Sequence, residues 1–464
     1  MSQSSPQPVF GRPLLHKDFP HLRSDNGFAH LNNGSFGSSP LSVVEYADQL
    51  RREWYSNPDE FWYERTQPLL VESRNAVAKL IRAPSDAVAF IDNATTGAAI
   101  VAHRVMWDFV EGKCQKGDLV IHQSSTYASV KYALDAHCTR AGATSVSIPL
   151  PFPAVSPSET VATWSLHLRA TIRAHPGRGV RLVVLDHIAS ENGVKYDVGA
   201  LARETRRVCE EEGVGERMEV FVDGAHGPGQ AEVDVGKWDV DYYTGNMHQW
   251  CFTPTSCAVF YARPTPSSPH LPAPLKSLTH PITSHNSKLG FVEECAMQAT
   301  RDYSAWFAVT RAIAYLDSLG GPARVAKYLN ETVWEGANLC AKRWGTRVGM
   351  PREAAAGMVM VELPREILEG LLDKATVVYG QGGGPLRALL RREYGVETQT
   401  PYVRVEGDII DGSTVEKRVA WLRLAAPVWV GKDSFERVAV AVEDIVKRLR
   451  KGETFAKYYT VSHL

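Results

Sequence analysis

The stretch "MEVFVDGAHGPG", residues 218–229, decides the fold. Its apolar run Val220–Val222 ends on a carboxylate, Asp223, and the glycines after it turn the chain. A strand with no polar alternation is one covered on both faces. A carboxylate at its end can hold a proton on a ring nitrogen of a bound heterocycle. His226, three residues on, can reach another ring substituent. Read alone, a turn-capping Asp beside an incidental His explains the pair equally well.

Similar runs flank it. "RLVVLDH" (181–187) and "VDYYTG" (240–245) read as strands, and "VGALARETRRVCEEEG" (198–213) reads as a helix before Met218. Upstream, "PLLVESRNAVAKLI" (68–81) is helical, "AVAFI" (87–91) a strand and "TTGAAIVAHRVMWDFV" (95–110) helical. "DLVIH" (118–122) is a strand and "YASVKYALDAHC" (127–138) a helix. This alternation predicts a mainly parallel sheet with helices on both faces and ligands bound beyond the carboxyl ends of its strands. Past about residue 305 the rhythm changes to long amphipathic helices and then a smaller mixed unit with "GMVMVEL" (357–363), "LRALLRREYGVE" (386–397) and "VAWLRLAAP" (419–427). The expected division is an N-terminal arm and helices over 1–60, a large domain over 61–304 and a small domain over 305–464. "GQGGGP" (380–385) is a turn, since no Lys-Ser/Thr follows its glycines.

The bulk properties narrow the function. Over 464 residues, 44% are hydrophobic and 22% charged, the balance of a soluble globular protein. With 51 Lys and Arg against 52 Asp and Glu, no charge excess recruits nucleic acid or an anionic membrane surface. No apolar run suits a membrane span, and the proline-broken N-terminus lacks a secretory core. Seven scattered cysteines without a C-x-x-C pair favour a reducing compartment, so a cytoplasmic location is expected. The C-terminal Ser462-His463-Leu464 is similar to a weak peroxisomal tripeptide, which keeps that address open.

Further features fall at predicted strand ends. Asn93-Ala94-Thr95-Thr96-Gly97 opens a helix whose free N–H groups and dipole suit an anion, although a simple cap explains it alone. Tyr127 lies after strand 118–122, placed to cover a planar ligand. Ser190-Glu191-Asn192 forms a polar turn after 181–187, and Asn246-x-His248 leads into Gln249.

Together these features resemble one family. The chain is similar to fold-type I pyridoxal phosphate enzymes of the class V aminotransferase superfamily, nearest the isopenicillin N epimerase-like branch with its hercynylcysteine sulfoxide lyases. The resemblance runs from about residue 28 to 430, through "HLNNGSFGSSP" (30–40), "NPDEFWYERTQPLLVESR" (57–74), "DNATTG" (92–97), "FVDGAHGPG" (221–229), "GNMHQW" (245–250) and "QATRDYSAWFAV" (298–309). It implies a seven-stranded, mainly parallel sheet in a large domain, a smaller α/β C-terminal domain, and pyridoxal 5'-phosphate as cofactor.

The resemblance also implies roles. Thr95, Thr96, Asn246 and His248 would bind the phosphate, with Ser190 nearby and Thr300 reaching in from a second subunit of a homodimer. Asp223 would pair with the pyridinium nitrogen and His226 with the phenolic oxygen. Tyr127 would cover the ring or act as an acid near the substrate. Arg423, with Asn33 and Tyr127, would bind an amino-acid substrate, the guanidinium taking its α-carboxylate. The residue after His248 would be the Schiff-base lysine. Here it is Gln249, a carboxamide that is neither nucleophile nor base near neutral pH.

Gln249 is either a deliberate substitution that traps a bound intermediate or a natural departure. Asn33 in place of the signature His, Tyr63 where Arg is common, and "RLAAPVW" (423–429) in place of a more polar segment favour the natural one. The implied activity is C–S cleavage of cysteine or a cysteine-derived conjugate. Epimerisation at Cα and a non-catalytic, adduct-binding homologue stand as alternatives.

Overall fold

The computed structural model describes residues 9–23, 27–264, 278–287, 289–373, 384–410 and 413–458, without the side chains of 407–410 and 413–416. Part of the 380–385 turn and the C-terminal tripeptide lie outside the described residues.

The strands are β1 (Val88–Ile91), β2 (Leu119–Gln123), β3 (Thr144–Ile148), β4 (Val180–Asp186), β5 (Glu219–Asp223), β6 (Tyr242–Asn246) and β7 (Ala258–Ala262). They form one sheet of seven in the order β1-β7-β6-β5-β4-β2-β3. Every neighbouring pair is parallel except those of β7, which runs antiparallel to both β1 and β6. The sheet is thus mainly parallel, as expected, with a single reversal. Because β1 runs with β6, the carboxyl ends of β1, β2, β4, β5 and β6 share one edge.

Alternate residues of the central strands enter two different cores. Val183 and Leu185 of β4 pack in the same cluster as Val77 of α1 (Gln67–Ile81) and Leu201 of α4 (Val198–Glu211). Leu182 and Val184 pack with Ile100 and Val101 of α2 (Ala94–Val110) and Val130 of α3 (Ala128–Leu134). Both faces being covered is why these strands carry no polar alternation. The helix starts are tied by side chains: the Asn93 carboxamide accepts from Thr96 N–H, and the Asp197 carboxylate from Ala200 N–H.

The later residues form an antiparallel three-stranded sheet, with Ser413–Ala425 between Tyr402–Ile410 and Met358–Glu362. It packs near α5 (Gly321–Trp344) and the long helix Lys432–Arg450. The N-terminal arm joins this part: Ala29–His30 pairs parallel with Val396–Glu397, and Asn32 bridges to Ala425. The arm thereby lies across the strand-end edge of the large sheet. Among the described residues no helix is long and apolar enough to cross a membrane.

Candidate active site

A cavity of about 670 Å³ opens at the shared strand-end edge, and the arm, the small sheet and the helical segment around Arg387 complete its wall. Asp223 closes β5 and Asp186 closes β4, and the two stand opposite each other in register. Both are buried and both face the cavity. Ala225 N–H donates to Asp223 Oδ1 at 3.0 Å, and Ser125 Oγ donates to Asp186 Oδ2 at 2.8 Å. Burial pushes the Asp223 carboxyl up to about 6. Burial and then the neighbouring Asp223 charge push Asp186 up to about 7.

An anion cradle lies at the start of α2. Asn93 occupies Thr96 N–H at 3.0 Å, and Asn246 Oδ1 accepts from Ala94 N–H at 2.9 Å. The Thr95 N–H has no hydrogen-bond partner among the described residues. The Thr95 and Ser129 hydroxyls stand 3.1 Å apart on the same wall. His248 joins them, its Nδ1 bonded to the Cys257 carbonyl at 3.1 Å, so the ring is fixed with Nε2 uncommitted. Burial lowers its pKa, against that carbonyl. A helix N-terminus of seventeen residues with hydroxyls and an amide around it is built for an oxyanion group.

Thr96 departs from expectation. Its hydroxyl turns back to Asn93 Oδ1 at 3.3 Å, and the residue is not on the cavity wall. One position further along the helix rotates its side chain out of the site. Ser129 takes the place expected of it.

His226 is buried, and its Nδ1 accepts from Trp250 Nε1 at 3.5 Å. Burial, then the Arg423 and His248 charges, push its pKa down to about 3, with Gln249 opposing. The ring is therefore neutral, and the Trp250 N–H on Nδ1 leaves its proton on Nε2. Tyr127 sits on the wall, 50% exposed, at the residue before α3.

Gln249 is 6% exposed and lines the cavity. Its Nε2 donates to Gly34 O at 3.0 Å and to Ser35 O at 3.3 Å, while Oε1 has no hydrogen-bond partner among the described residues. Asn33 Nδ2 donates to the Gln249 carbonyl at 2.8 Å. Asn33 therefore supports the floor of the site and does not line it, contrary to the substrate-contact role expected for it. The arm can approach this closely only through Gly37, at φ 69°, where a Cβ would fall 2.2 Å from His248 O.

Arg423 is on the wall and 1% exposed. Its Nη1 donates to the Ser190 carbonyl oxygen and its Nη2 to Asn32 Oδ1 at 3.4 Å. Its pKa is lowered, by burial first. Thr300 lies apart, in a cleft of about 270 Å³ with Trp54 and Tyr55. The structure thus brings together Thr95, Tyr127, Ser190, Asp223, His226, Asn246, His248, Gln249 and Arg423, and leaves Thr96, Asn33 and Thr300 off the wall. Sequence reasoning missed Asp186, Ser129, Arg387 and Arg391. Asp186 carried the same strand-end signal as Asp223, and Ser129 followed a hydroxyl-rich turn.

No lysine lines this cavity among the described residues. Lys131 donates to Ser124 O at 2.7 Å, and Lys195 faces a separate cavity of about 620 Å³ beside Trp238.

The sequence profile of the aminotransferase class-V family matches residues 31–365. The chain is 35% identical over 442 residues to an L-cysteine desulfhydrase of Arabidopsis thaliana, covering 93% of this chain and 90% of that protein. It is 25% identical over 363 residues to the hercynylcysteine sulfoxide lyase of Schizosaccharomyces pombe, covering 75% and 83%. The apo cysteine desulfurase from Thermococcus onnurineus NA1 shares its fold, with a TM-score of 0.65 at 17% identity over 95% of this chain and 99% of that one.

Proposed function

The chain belongs to the aminotransferase class-V family, and from that premise we propose that it is a pyridoxal phosphate-dependent C–S lyase acting on cysteine or a cysteine-derived conjugate. The observation that carries this is the convergence, on one cavity, of a buried strand-end carboxylate and a helix N-terminus whose Thr95 N–H has no partner among the described residues. The similarity to desulfhydrases over most of both chains supports the reaction class.

The residues present fit the cofactor held without a covalent bond. Asp223 has no cation within ion-pair reach among the described residues, so it is available to a protonated ring nitrogen. Thr95, Ser129, Asn246 and His248 would hold the phosphate. His226, donating through Nε2, would hold the phenolic oxygen. Arg423, kept in place by Ser190 and Asn32, would receive the amino acid's α-carboxylate. When bound, pyridoxal phosphate supplies an electron-withdrawing ring that eases loss of the α-proton and departure of a β-sulfur.

Gln249 can neither form the covalent link nor take that proton. This residue is the specific observation that favours a second reading, binding of the cofactor or its amino-acid adducts without turnover. Epimerisation at Cα begins with the same proton loss and needs the same missing base. Two copies of the chain would complete the site as a homodimer, with Thr300 of one reaching the phosphate of the other. The test is sulfide release from L-cysteine with added cofactor, by the protein as it stands and by Gln249→Lys. Release by either supports the lyase; bound cofactor with no release by both favours the second reading.

A further inference from the structure

Besides Arg423, two further arginines line the cavity. Arg387 and Arg391 lie one helical turn apart, on Gly384–Leu389 and the turn continuing it, and both line the cavity. A single carboxylate answers them. Glu397 Oε1 is 2.6 Å from Arg387 Nε, while Arg391 binds it through Nε at 2.5 Å and Nη2 at 3.1 Å. Two guanidiniums against one carboxylate leave one positive charge over.

That charge is held in a usable form on Arg387. Its side chain is only 18% exposed, yet both Nη groups have no hydrogen-bond partner among the described residues. Neither Nη is fully buried, and Arg387 lines both this cavity and a neighbouring one of about 460 Å³ that also holds Glu397. Arg423 differs, with each Nη already bonded to protein. The two arginines are near enough for Arg387 to disfavour charge on Arg423, so one further anion would relieve both. A mostly buried guanidinium with an open planar fork matches a carboxylate in two parallel hydrogen bonds.

We propose that the substrate carries a second carboxylate, distal to its α-carbon, and that Arg387 receives it. This rests on the C–S lyase reading and narrows it: the ligand is a cysteine conjugate with an acidic S-substituent rather than cysteine itself. Arg387 is then a specificity-determining residue, with Glu397 aiming its fork and Arg391 sharing that carboxylate.

The experiment compares two S-conjugates of similar length, S-(2-carboxyethyl)-L-cysteine and S-butyl-L-cysteine, binding to the pyridoxal phosphate-loaded protein by calorimetry. The acidic conjugate should bind ~10- to 100-fold more tightly, the scale of a charged hydrogen-bonded pair. Arg387→Gln should abolish that lead, bringing the acidic conjugate's affinity down to that of the butyl conjugate. Equal affinities in the unaltered protein overturn the proposal, and that comparison stands even if the variant does not fold. Equal weakening of both conjugates by Arg387→Gln also overturns it, since Arg387 would then hold the shared α-carboxylate. If the cofactor binds but neither conjugate does, the cysteine-conjugate reading itself falls.

Discussion

Asn33 and Gln249 tie two distant segments to each other through reciprocal hydrogen bonds. Asn33 Nδ2 donates to the Gln249 carbonyl at 2.8 Å, and Gln249 Nε2 donates to Gly34 O at 3.0 Å. Two backbone carbonyls around Nε2 fix the orientation of the Gln249 amide, because its Oε1 could not face them. The residue at the expected amine position thus holds the N-terminal arm against the floor of the site.

Removing one half of this tie has a definite cost. Asn33→Ala leaves the buried Gln249 carbonyl unpaired and should destabilise the protein by about 1–3 kcal/mol, the penalty for an orphaned buried acceptor. Urea unfolding checks the magnitude. A change within a few tenths would mean water replaces the amide and the tie is not structural.

The cradle at α2 makes a prediction with an internal control. Thr95→Ala and Ser129→Ala should each weaken pyridoxal phosphate binding by about 0.5–1.5 kcal/mol, the worth of one hydrogen bond. Thr96→Ala should leave affinity almost unchanged, because its hydroxyl is turned to Asn93. Fluorescence titration of the three variants decides it. A loss at Thr96 equal to that at Thr95 would place the phosphate elsewhere.

Asp186 makes the stability of the cofactor-free protein sensitive to pH. Its carboxyl is raised to about 7 in the fold, above the ordinary value near 4 of the unfolded chain. Between those values the folded protein holds a proton that the unfolded chain has lost, so this group's contribution to stability falls as pH rises from about 4 to about 7. Asp186→Asn removes the effect. It should stabilise the cofactor-free protein at pH 8 by on the order of 1–3 kcal/mol and do much less at pH 5. Denaturant unfolding at the two pH values reads the difference, and an equal gain at both would exclude titration as its cause.

Much of this was legible from residue order, for a physical reason. Strands buried on both faces declare themselves as unbroken apolar runs, so β1, β2, β4, β5 and β6 were found. The edge strand β3, "TSVSI", is half exposed and reads as polar, and it was missed. The run of β7, "AVFYA", was not read as a strand either, and nothing in its composition shows that it reverses direction, because direction is set by pairing. Strand-end residues such as Asp223 and Asn246 were found for the same reason as their strands. Asp186 matters through a neighbour on another strand, and Arg387 through an uncommitted fork. Neither relationship is written locally in the chain.

The proposed homodimer has its own test. Light scattering should report two chains per particle, and Thr300→Ala should weaken cofactor binding without changing that mass. A stable monomer that binds the cofactor tightly would contradict the shared site.

Borohydride reduction asks whether the site holds pyridoxal phosphate without a covalent lysine. The protein is equilibrated with cofactor and no amino acid, reduced, and mapped by peptide mass. Cofactor should be retained at equilibrium and released on unfolding, with no lysine bearing a reduced phosphopyridoxyl group. A modified lysine, whether Lys131, Lys195 or one outside the described residues, would contradict it.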